Sequence, residues 1–294
     1  MKIAVLGATG MLGSMLVDYL SKHFQVVATV RSENTEIKIP NVEVRQLEVV
    51  NEVLSSDNKR LAKVIGDCQW VVNAIGAIPQ RTDFPTDFEL VNIGFAKELA
   101  LVSMAEGCPV IQVATDCVYS GIGGCYTENS DFSPVDDYGK SKLLGEVGAP
   151  NMHHLRCSII GKEPFGHYSL LGWFLSQPKG AVIMGYTNHL WNGITTLHFA
   201  KICKAIIESG GNMPRIQHIV PGDWTSKYAL LKLFAKEFGR EDITIKPVER
   251  EDIDRTLGTK RPEYNESIWQ AAGYDHPPTI AQMVRELAEY MRGK

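Results

Sequence analysis

The segment Gly7-Ala8-Thr9-Gly10-Met11-Leu12-Gly13 constrains this chain more than any other. It follows the continuous apolar run Ile3-Ala4-Val5-Leu6, which reads as a strand buried on both faces. It runs into Met11, Leu12, Met15, Leu16, Tyr19 and Leu20, which recur at helical spacing through Lys22. Glycines in such a strand-to-helix turn have three uses. Gly7 permits the tight turn, Gly10 lets a diphosphate approach the backbone, and Gly13 lets helix and strand pack closely. The helix N-terminus adds unpaired N–H groups and partial positive charge, and both attract phosphate. Thr9, Met11 and Leu12 complete the expected phosphate cradle. The spacing is GxxGxxG, one residue wider in its first interval than GxGxxG. Turn-forming glycines with no ligand are the alternative, but a place at the opening of a βαβ pattern favours nucleotide binding.

The alternation continues. Gln25 to Val30 is β-rich, Val42 to Leu47 alternates, and Leu61 to Ile65 has the end of a helix. Trp70 to Ile75 reads as a strand, Phe88 to Ala105 as a long helix, Val110 to Ala114 as a strand and Asp137 to Val147 as a helix. This pattern predicts an α/β fold, a doubly wound parallel sheet with right-handed crossovers. After Arg156 glycine, proline and aromatic residues become frequent and the alternation fades. Leu197 to Ile207, Tyr228 to Phe238 and Ile280 to Met291 remain convincing amphipathic helices. The expected division is a dinucleotide-binding domain over 1–160 and a smaller, irregular, mainly substrate-binding lobe over 161–294, with some later segments returning to the sheet.

Composition narrows the partners. The 294 residues carry a formal net charge of −4, too weakly acidic to identify a partner and a mild argument against a protein built to coat nucleic acid. The six cysteines show no CxxC pair and read as reduced thiols, and the eight histidines form no HxH or HExxH pattern, so no metal site is expected. The apolar N-terminus is interrupted by glycine and threonine and reaches Asp18 before a signal peptide would be complete. No run approaches the ~18 apolar residues of a membrane span. The expectation is a cytoplasmic protein with neither membrane nor nucleic-acid partner.

Two further constellations carry chemistry. Where the second strand ends, an acidic residue would normally hold ribose hydroxyls, but Arg31 and Ser32 follow Val30. An arginine there can pair with a ribose 2′-phosphate, which favours NADP over NAD. A solvated surface arginine is the alternative, and Glu33 lies close by. Tyr138 and Lys142 stand four apart at the start of a helix and share a face. A tyrosine ionises near pH ~10, and a nearby lysine charge lowers that value toward a usable general acid. Lys142 can also reach a cofactor ribose hydroxyl. Thr115, after the strand Val110 to Ala114, can donate a hydrogen bond to a substrate carbonyl at the sheet edge where α/β folds bind ligands.

With these residues in place the chain resembles the extended short-chain dehydrogenase/reductase superfamily, and within it the dTDP-4-dehydrorhamnose reductase-like (RmlD-like) family. The segments are GATGMLG, VVNAIG (71–76), VNIGFAKELA (91–100), ATDCVYSG (114–121), YTENSDFSPVDDYGKSKLLGE (126–146) and LRCSIIG (155–161). The resemblance implies a Rossmann sheet and an NADP(H)-dependent reductase, NAD(H) being second choice, acting on a nucleotide-linked 4-keto-6-deoxysugar. Tyr138 would be the proton donor, Lys142 its partner, Thr115 the carbonyl ligand and Asn92 the support of a proton relay. Asn73, Ala74, Ile75 and Gly76 would pass beside the adenosine ribose and diphosphate. A helix-surface role remains the alternative for Asn92.

Arg81, Arg156, Trp191 and Asn192 complete the expected substrate contacts: Arg81 for a diphosphate, Trp191 and Asn192 for base and sugar, Arg156 as a recurrent arginine after the sixth strand. A core role for Trp191 and a structural ion pair for Arg156 stay open. The chain departs from the family at Cys117, where related 4,6-dehydratases carry glutamate and reductases often carry tyrosine. A thiol is a poor substitute for that acid, so dehydration is disfavoured. Tyr119-Ser120-Gly121 also replaces the more usual Phe-Asp-Gly, and the C-terminal half matches only in fragments. A homodimer is compatible with the resemblance. The competing readings are a non-catalytic nucleotide-binding regulatory subunit and a cofactor-retaining sugar-nucleotide epimerase.

Overall fold

The computed structural model describes residues 1–50, 59–81, 85–211 and 213–293. Seven parallel strands form the central sheet: β1 (Lys2–Leu6), β2 (Gln25–Val30), β3 (Val42–Gln46), β4 (Trp70–Asn73), β5 (Val110–Ala114), β6 (Met152–Arg156) and β11 (Ile216–His218). Their order is β11-β6-β5-β4-β1-β2-β3, with the chain reversing direction across the sheet between β1 and β4. That reversal opens a crevice at the carboxyl ends of the strands, the place where doubly wound sheets bind ligands. The expected α/β class is the one observed.

Two apolar layers cover the sheet. On one face Leu12, Leu16 and Leu20 of α1 (Met11–Leu20) pack with Phe199, Ile202 and Ile206 of α7 (Thr196–Glu208). The same core takes Leu230 and Phe234 of α8 (Lys227–Glu237), Trp269 of α9 (Pro262–Ala271), and Met283 and Leu287 of α10 (Ile280–Arg292). On the other face Leu61 of α2 (Lys59–Ile65) meets Phe95 and Leu99 of α4 (Phe95–Ala105). Both sides of the central strands β1, β2 and β4 are therefore dry, which is why they read as apolar runs, whereas the edge strand β3 is partly exposed and alternates. Elements beyond residue 160 return to the first half: α7 packs against α1, Tyr290 of α10 donates to Asp18 of α1, and β11 pairs with β6.

The rest of the chain forms small pairings beside the crevice. The short strands β7 (Ile159–Ile160) and β10 (Ile194–Thr195) run parallel, as do β8 (Val182–Tyr186) and β13 (Thr244–Val248). Strand β9 (His189–Trp191) lies between β12 (Thr225–Ser226) and β14 (Ile253–Asp254). A one-turn α3 (Pro85–Asp87), α5 (Asp137–Leu144) and α6 (Leu170–Leu175) complete the elements. Among the described residues no helix is long and apolar enough to cross a membrane.

Three boundaries differ from the sequence reading. Strand β4 stops at Asn73, because the Asn73 side chain turns back to accept a hydrogen bond from the Ile75 N–H at 3.0 Å. The long helix is not uniform: Phe88–Gly94 is π-helical and only then does α4 begin. A π segment inserts one residue per turn and is most common at functional sites. Helix α5 ends at Leu144, short of the expected Val147.

Candidate active site

The glycine turn is built as its residue types require. Gly7 has φ +84°, and a Cβ on Gly13 would lie 2.0 Å from the Gly7 carbonyl oxygen, so α1 can lie against the turn only without a side chain there. Thr29, on β2, holds the turn from beneath: its hydroxyl accepts from the Gly7 N–H at 2.9 Å and its carbonyl from Ala8 at 3.0 Å. Sequence reading missed this residue, since a buried strand threonine carries no local signal. Side-chain oxygens of Asp136, Thr195, Ser226 and Thr279 cap α5, α7, α8 and α10. Helix α1 has only Gly10 at its cap, with no side-chain bond and no acid in its first turn. Its first N–H groups, Met11 and Leu12 among them, remain available to an anion. The donor set thus fits a dinucleotide diphosphate.

At the adenosine end, Val30 and Gln46 border a cavity of about 490 Å³ that Glu33, Lys38 and Arg60 also line. Arg31 and Ser32 stand exposed beside it, with the Arg31 carbonyl accepting from Gln46 Nε2 at 3.3 Å. Asn73 is a correction. Its side chain is buried, donates to Gln112 Oε1 at 2.8 Å and accepts from Ile75, so it shapes the turn from inside the fold rather than facing a cofactor. Only the following backbone, Ala74 to Gly76, borders the crevice beside Gly7.

Thr115, Tyr138 and Lys142 come together where β5 ends and α5 begins. Asp136 caps α5 by accepting from the Gly139 N–H at 2.7 Å. A Cβ on Gly139 would sit 2.3 Å from the Cys117 carbonyl oxygen, so the missing side chain lets α5 lie flush against the β5 loop. Tyr138 consequently comes up beside Thr115, near enough for the threonine hydroxyl to act on its phenol, and Phe88 of the π segment packs edge-on to its ring, centroids 6.3 Å apart. Lys142 Nζ donates to the Val113 carbonyl at 2.8 Å.

The electrostatics differ from the sequence expectation. Burial raises the Tyr138 phenol above its ordinary value, Cys117, Asp116 and Asp136 raise it further, and the neighbouring Thr115 hydroxyl lowers it. Burial also pulls the Lys142 ammonium down to about 8, against an opposing pull from Glu146. The lysine is pinned to β5 and the phenol is held protonated. It is poised to give a proton rather than to take one.

Asn92 is buried rather than on a helix surface. Its Nδ2 donates to Ser141 Oγ at 2.9 Å and to the Ala77 carbonyl at 3.1 Å, and its Oδ1 accepts from Ala77 N–H at 2.9 Å. Ser141 Oγ in turn donates to the Tyr138 carbonyl at 2.8 Å. Asn92 therefore locks the β4 loop to α5 and sets the height of Tyr138.

Three expected substrate contacts are corrected. Arg156 is wholly buried; its guanidinium donates to both Glu146 carboxylate oxygens, to Tyr119 Oη at 2.9 Å and to His218 Nε2 at 2.9 Å. Every branch is occupied, so it braces β6 and cannot reach a ligand. Trp191 is buried with its indole N–H on Ser158 Oγ at 2.8 Å, which removes it from base stacking. Asn192 spends its amide on the Leu257 backbone, donating at 2.7 Å and accepting at 2.9 Å. Trp191 and Asn192 lie in a lobe whose packing no local pattern reveals, and Arg156, on β6, is claimed by Tyr119 and His218 from distant parts of the chain. Arg81 is exposed, with its guanidinium 5.4 Å from the centre of the Tyr168 ring.

The Arg156 cluster has a measurable consequence. His218 Nε2 accepts from Arg156, which leaves Nδ1 to donate to the Gly258 and Tyr126 carbonyls at 2.8 and 3.1 Å. Burial and then the Arg156 charge hold this neutral ring down to about 4, from an ordinary 6.5. A depressed folded value means the unfolded chain binds the proton first, so the stability is intact above pH 6.5 and is lost as pH falls toward 4. The loss amounts to about 3 kcal/mol. Urea unfolding at pH 7 and pH 4 is expected to show it, and His218→Gln should flatten that dependence relative to wild type. An unchanged dependence would mean His218 does not titrate between the two states.

Sequence reading also missed Asp116, Lys227 and Arg255. The C-terminal lobe brings the two cations to the Asp116–Cys117 turn, where both act electrostatically on the partly buried Asp116 carboxyl. Thr115 Oγ1 lies 3.2 Å from Asp116 Oδ1 and accepts from the Cys117 N–H, also at 3.2 Å.

A reductase-named protein, the probable low-salt glycan biosynthesis reductase Agl14 of Haloferax volcanii, is 30% identical over 166 residues, 53% of this chain and 52% of its own length. The match thus spans about half of that relative. The solved dTDP-4-dehydrorhamnose reductase ortholog of Clostridium acetobutylicum superposes with a TM-score of 0.73 at 18% identity, covering 99% of this chain and 100% of its own. That of Bacillus anthracis, in complex with NADP, gives 0.74 at 14% identity over 98% and 99%. These likenesses establish the fold. Residues 1–160, more than half the chain and all of the site's catalytic-looking trio, match the family described as RmlD substrate binding domain, and the chain belongs to that family.

Proposed function

We propose that the chain is an NADPH-dependent reductase of a nucleotide-linked 4-keto-6-deoxysugar. The observation that carries this reading is the convergence of Thr115, Tyr138 and Lys142 at the carboxyl end of β5, in the same crevice as an uncapped glycine turn. The family membership and the relatives named as reductases support it. NADPH, when bound, would supply the hydride that reduces the C4 carbonyl.

The protein's own part is orientation and proton supply. The backbone of Gly7 to Gly13 and the start of α1 would hold the diphosphate, while Arg31 would meet a ribose 2′-phosphate. Thr115 would donate to the carbonyl oxygen. Tyr138, kept protonated by burial, would give its proton to that oxygen as alkoxide character develops. Lys142, freed from Val113, would reach a ribose hydroxyl and compensate the phenolate left behind.

Purified protein mixed with NADPH and a panel of dTDP-, UDP- and GDP-linked 4-keto-6-deoxysugars is expected to consume NADPH, followed by its absorbance. Silence across the panel would favour a non-catalytic binding subunit. Arg31→Ala should weaken NADPH binding about tenfold, the loss of one charge-assisted contact of ~1.5 kcal/mol, and leave NADH nearly unchanged. Equal losses for both dinucleotides would remove the 2′-phosphate assignment.

A further inference from the structure

Two side chains at the Thr115–Tyr138 end of the crevice have no task in the reduction. Cys117 is partly buried; its thiol lies 3.9 Å from Asp116 Oδ1 and acts electrostatically on both Tyr138 and Lys142. Lys227 is the first residue of α8, held there by the Ser226 cap, whose Oγ accepts from the Ala229 N–H at 3.2 Å. Its ammonium stands 5.3 Å over the buried Trp191 ring and interacts electrostatically with Asp116 and Cys117. Among the described residues it has no hydrogen bond and no ion pair. An ammonium with donors to spare, supported by an indole and near the turn that follows Thr115, is placed for a ligand rather than for the fold.

The chemistry next to a carbonyl states what such a pair could do. A ketone at C4 makes the hydrogens on C3 and C5 removable, provided the developing enolate oxygen is held. Thr115 and Tyr138 already present hydroxyls for that oxygen. We propose that the chain also exchanges a proton on a carbon adjacent to the C4 carbonyl of its substrate, with Lys227 taking that proton and Cys117 supplying its replacement. This rests on the carbonyl site of the reductase reading.

The step balances without a cofactor. The neutral Lys227 amine takes the proton, the C–H electron pair becomes the C=C bond, and the carbonyl π pair moves to the oxygen held by Thr115 and Tyr138. The Cys117 S–H then protonates the carbon and the carbonyl re-forms. The Lys227 ammonium returns its proton to the thiolate, so nothing is oxidised or consumed. The direction of transfer follows from the surroundings. An ordinary thiol gives up its proton before an ordinary ammonium does. Here burial pushes Cys117 up to about 11, with Asp116 and Asp136 adding to it and Thr115 and Arg255 opposing. Burial brings Lys227 down to about 8, against the opposing pull of Asp116 and Cys117. The order is inverted, so the amine is the acceptor and the thiol the donor.

The test incubates the protein with dTDP- and UDP-linked 4-keto-6-deoxyhexoses in D₂O with no dinucleotide, reading deuterium by mass spectrometry and its position by proton NMR. NADPH consumption is measured separately on the same sugars. Wild type is expected to place deuterium at C3 or C5 well above the buffer rate. Lys227→Arg, which keeps the charge but is no base, and Cys117→Ala should each slow exchange about 10²-fold with the thermal midpoint retained. Reduction without exchange would overturn this inference and leave the reductase intact. Exchange untouched by both substitutions, each variant being folded, would overturn the assignment to Lys227 and Cys117. Neither exchange nor reduction on any sugar would overturn both readings together.

Discussion

Tyr138→Phe is expected to lower the rate of NADPH oxidation by at least about 10²-fold, the loss that follows removal of a positioned general acid. The substitution deletes one oxygen and keeps the ring that packs edge-on to Phe88, so folding should be preserved. The phosphate-binding turn belongs to β1 and α1, not to α5, so NADPH affinity should change little. The combination of a large fall in kcat with a nearly constant dinucleotide Kd distinguishes a proton donor from a binding residue. Stopped-flow oxidation and a fluorescence titration with NADPH measure the two. A near-normal rate in the variant would remove Tyr138 from the mechanism, and with it the reading built on the Thr115–Tyr138–Lys142 convergence.

Glu146→Ala is expected to be the most damaging substitution away from the chemistry. Arg156 and Glu146 form a bidentate ion pair, with the arginine fully buried and the glutamate side chain 5% exposed. Removing the carboxylate leaves a buried guanidinium without its counter-charge, at a cost of about 3–5 kcal/mol. The midpoint of urea unfolding should fall accordingly. Replacing both partners, Glu146→Leu with Arg156→Met, should recover much of the loss, because apolar side chains of similar volume remove the unpaired charge. A loss below about 1 kcal/mol in the single variant would show that the pair behaves like a solvated surface bridge. The same pair explains why Arg156 cannot serve a ligand.

Much of the α/β core was legible, because its signals are local. An apolar run of four, a glycine turn and helical spacing suffice to place β1 and α1. Tyr138 and Lys142 are joined by one helical turn, so their common face follows from spacing alone. The sequence reading failed wherever a side chain's partner lies far along the chain. Arg156 meets Glu146, Tyr119 and His218; Trp191 meets Ser158; Asn192 meets Leu257. Each of these is polar or aromatic, near glycine and beside the crevice, and so looks like a ligand contact until its hydrogen bonds are counted.

What the sequence determined by itself was the order of strands and helices, the phosphate-type turn and the tyrosine–lysine pair, since all of these depend on neighbours within a few residues. Tertiary structure alone decided which polar groups are left over for chemistry. It consumed Arg156, Trp191, Asn192 and Asn73 in the scaffold, turned Asn92 into the brace beneath Tyr138, and carried Lys227 to the Asp116–Cys117 turn. The physical reason is that a buried polar group must find a partner wherever the fold supplies one. Its availability is therefore a property of the packed molecule and not of its place in the chain.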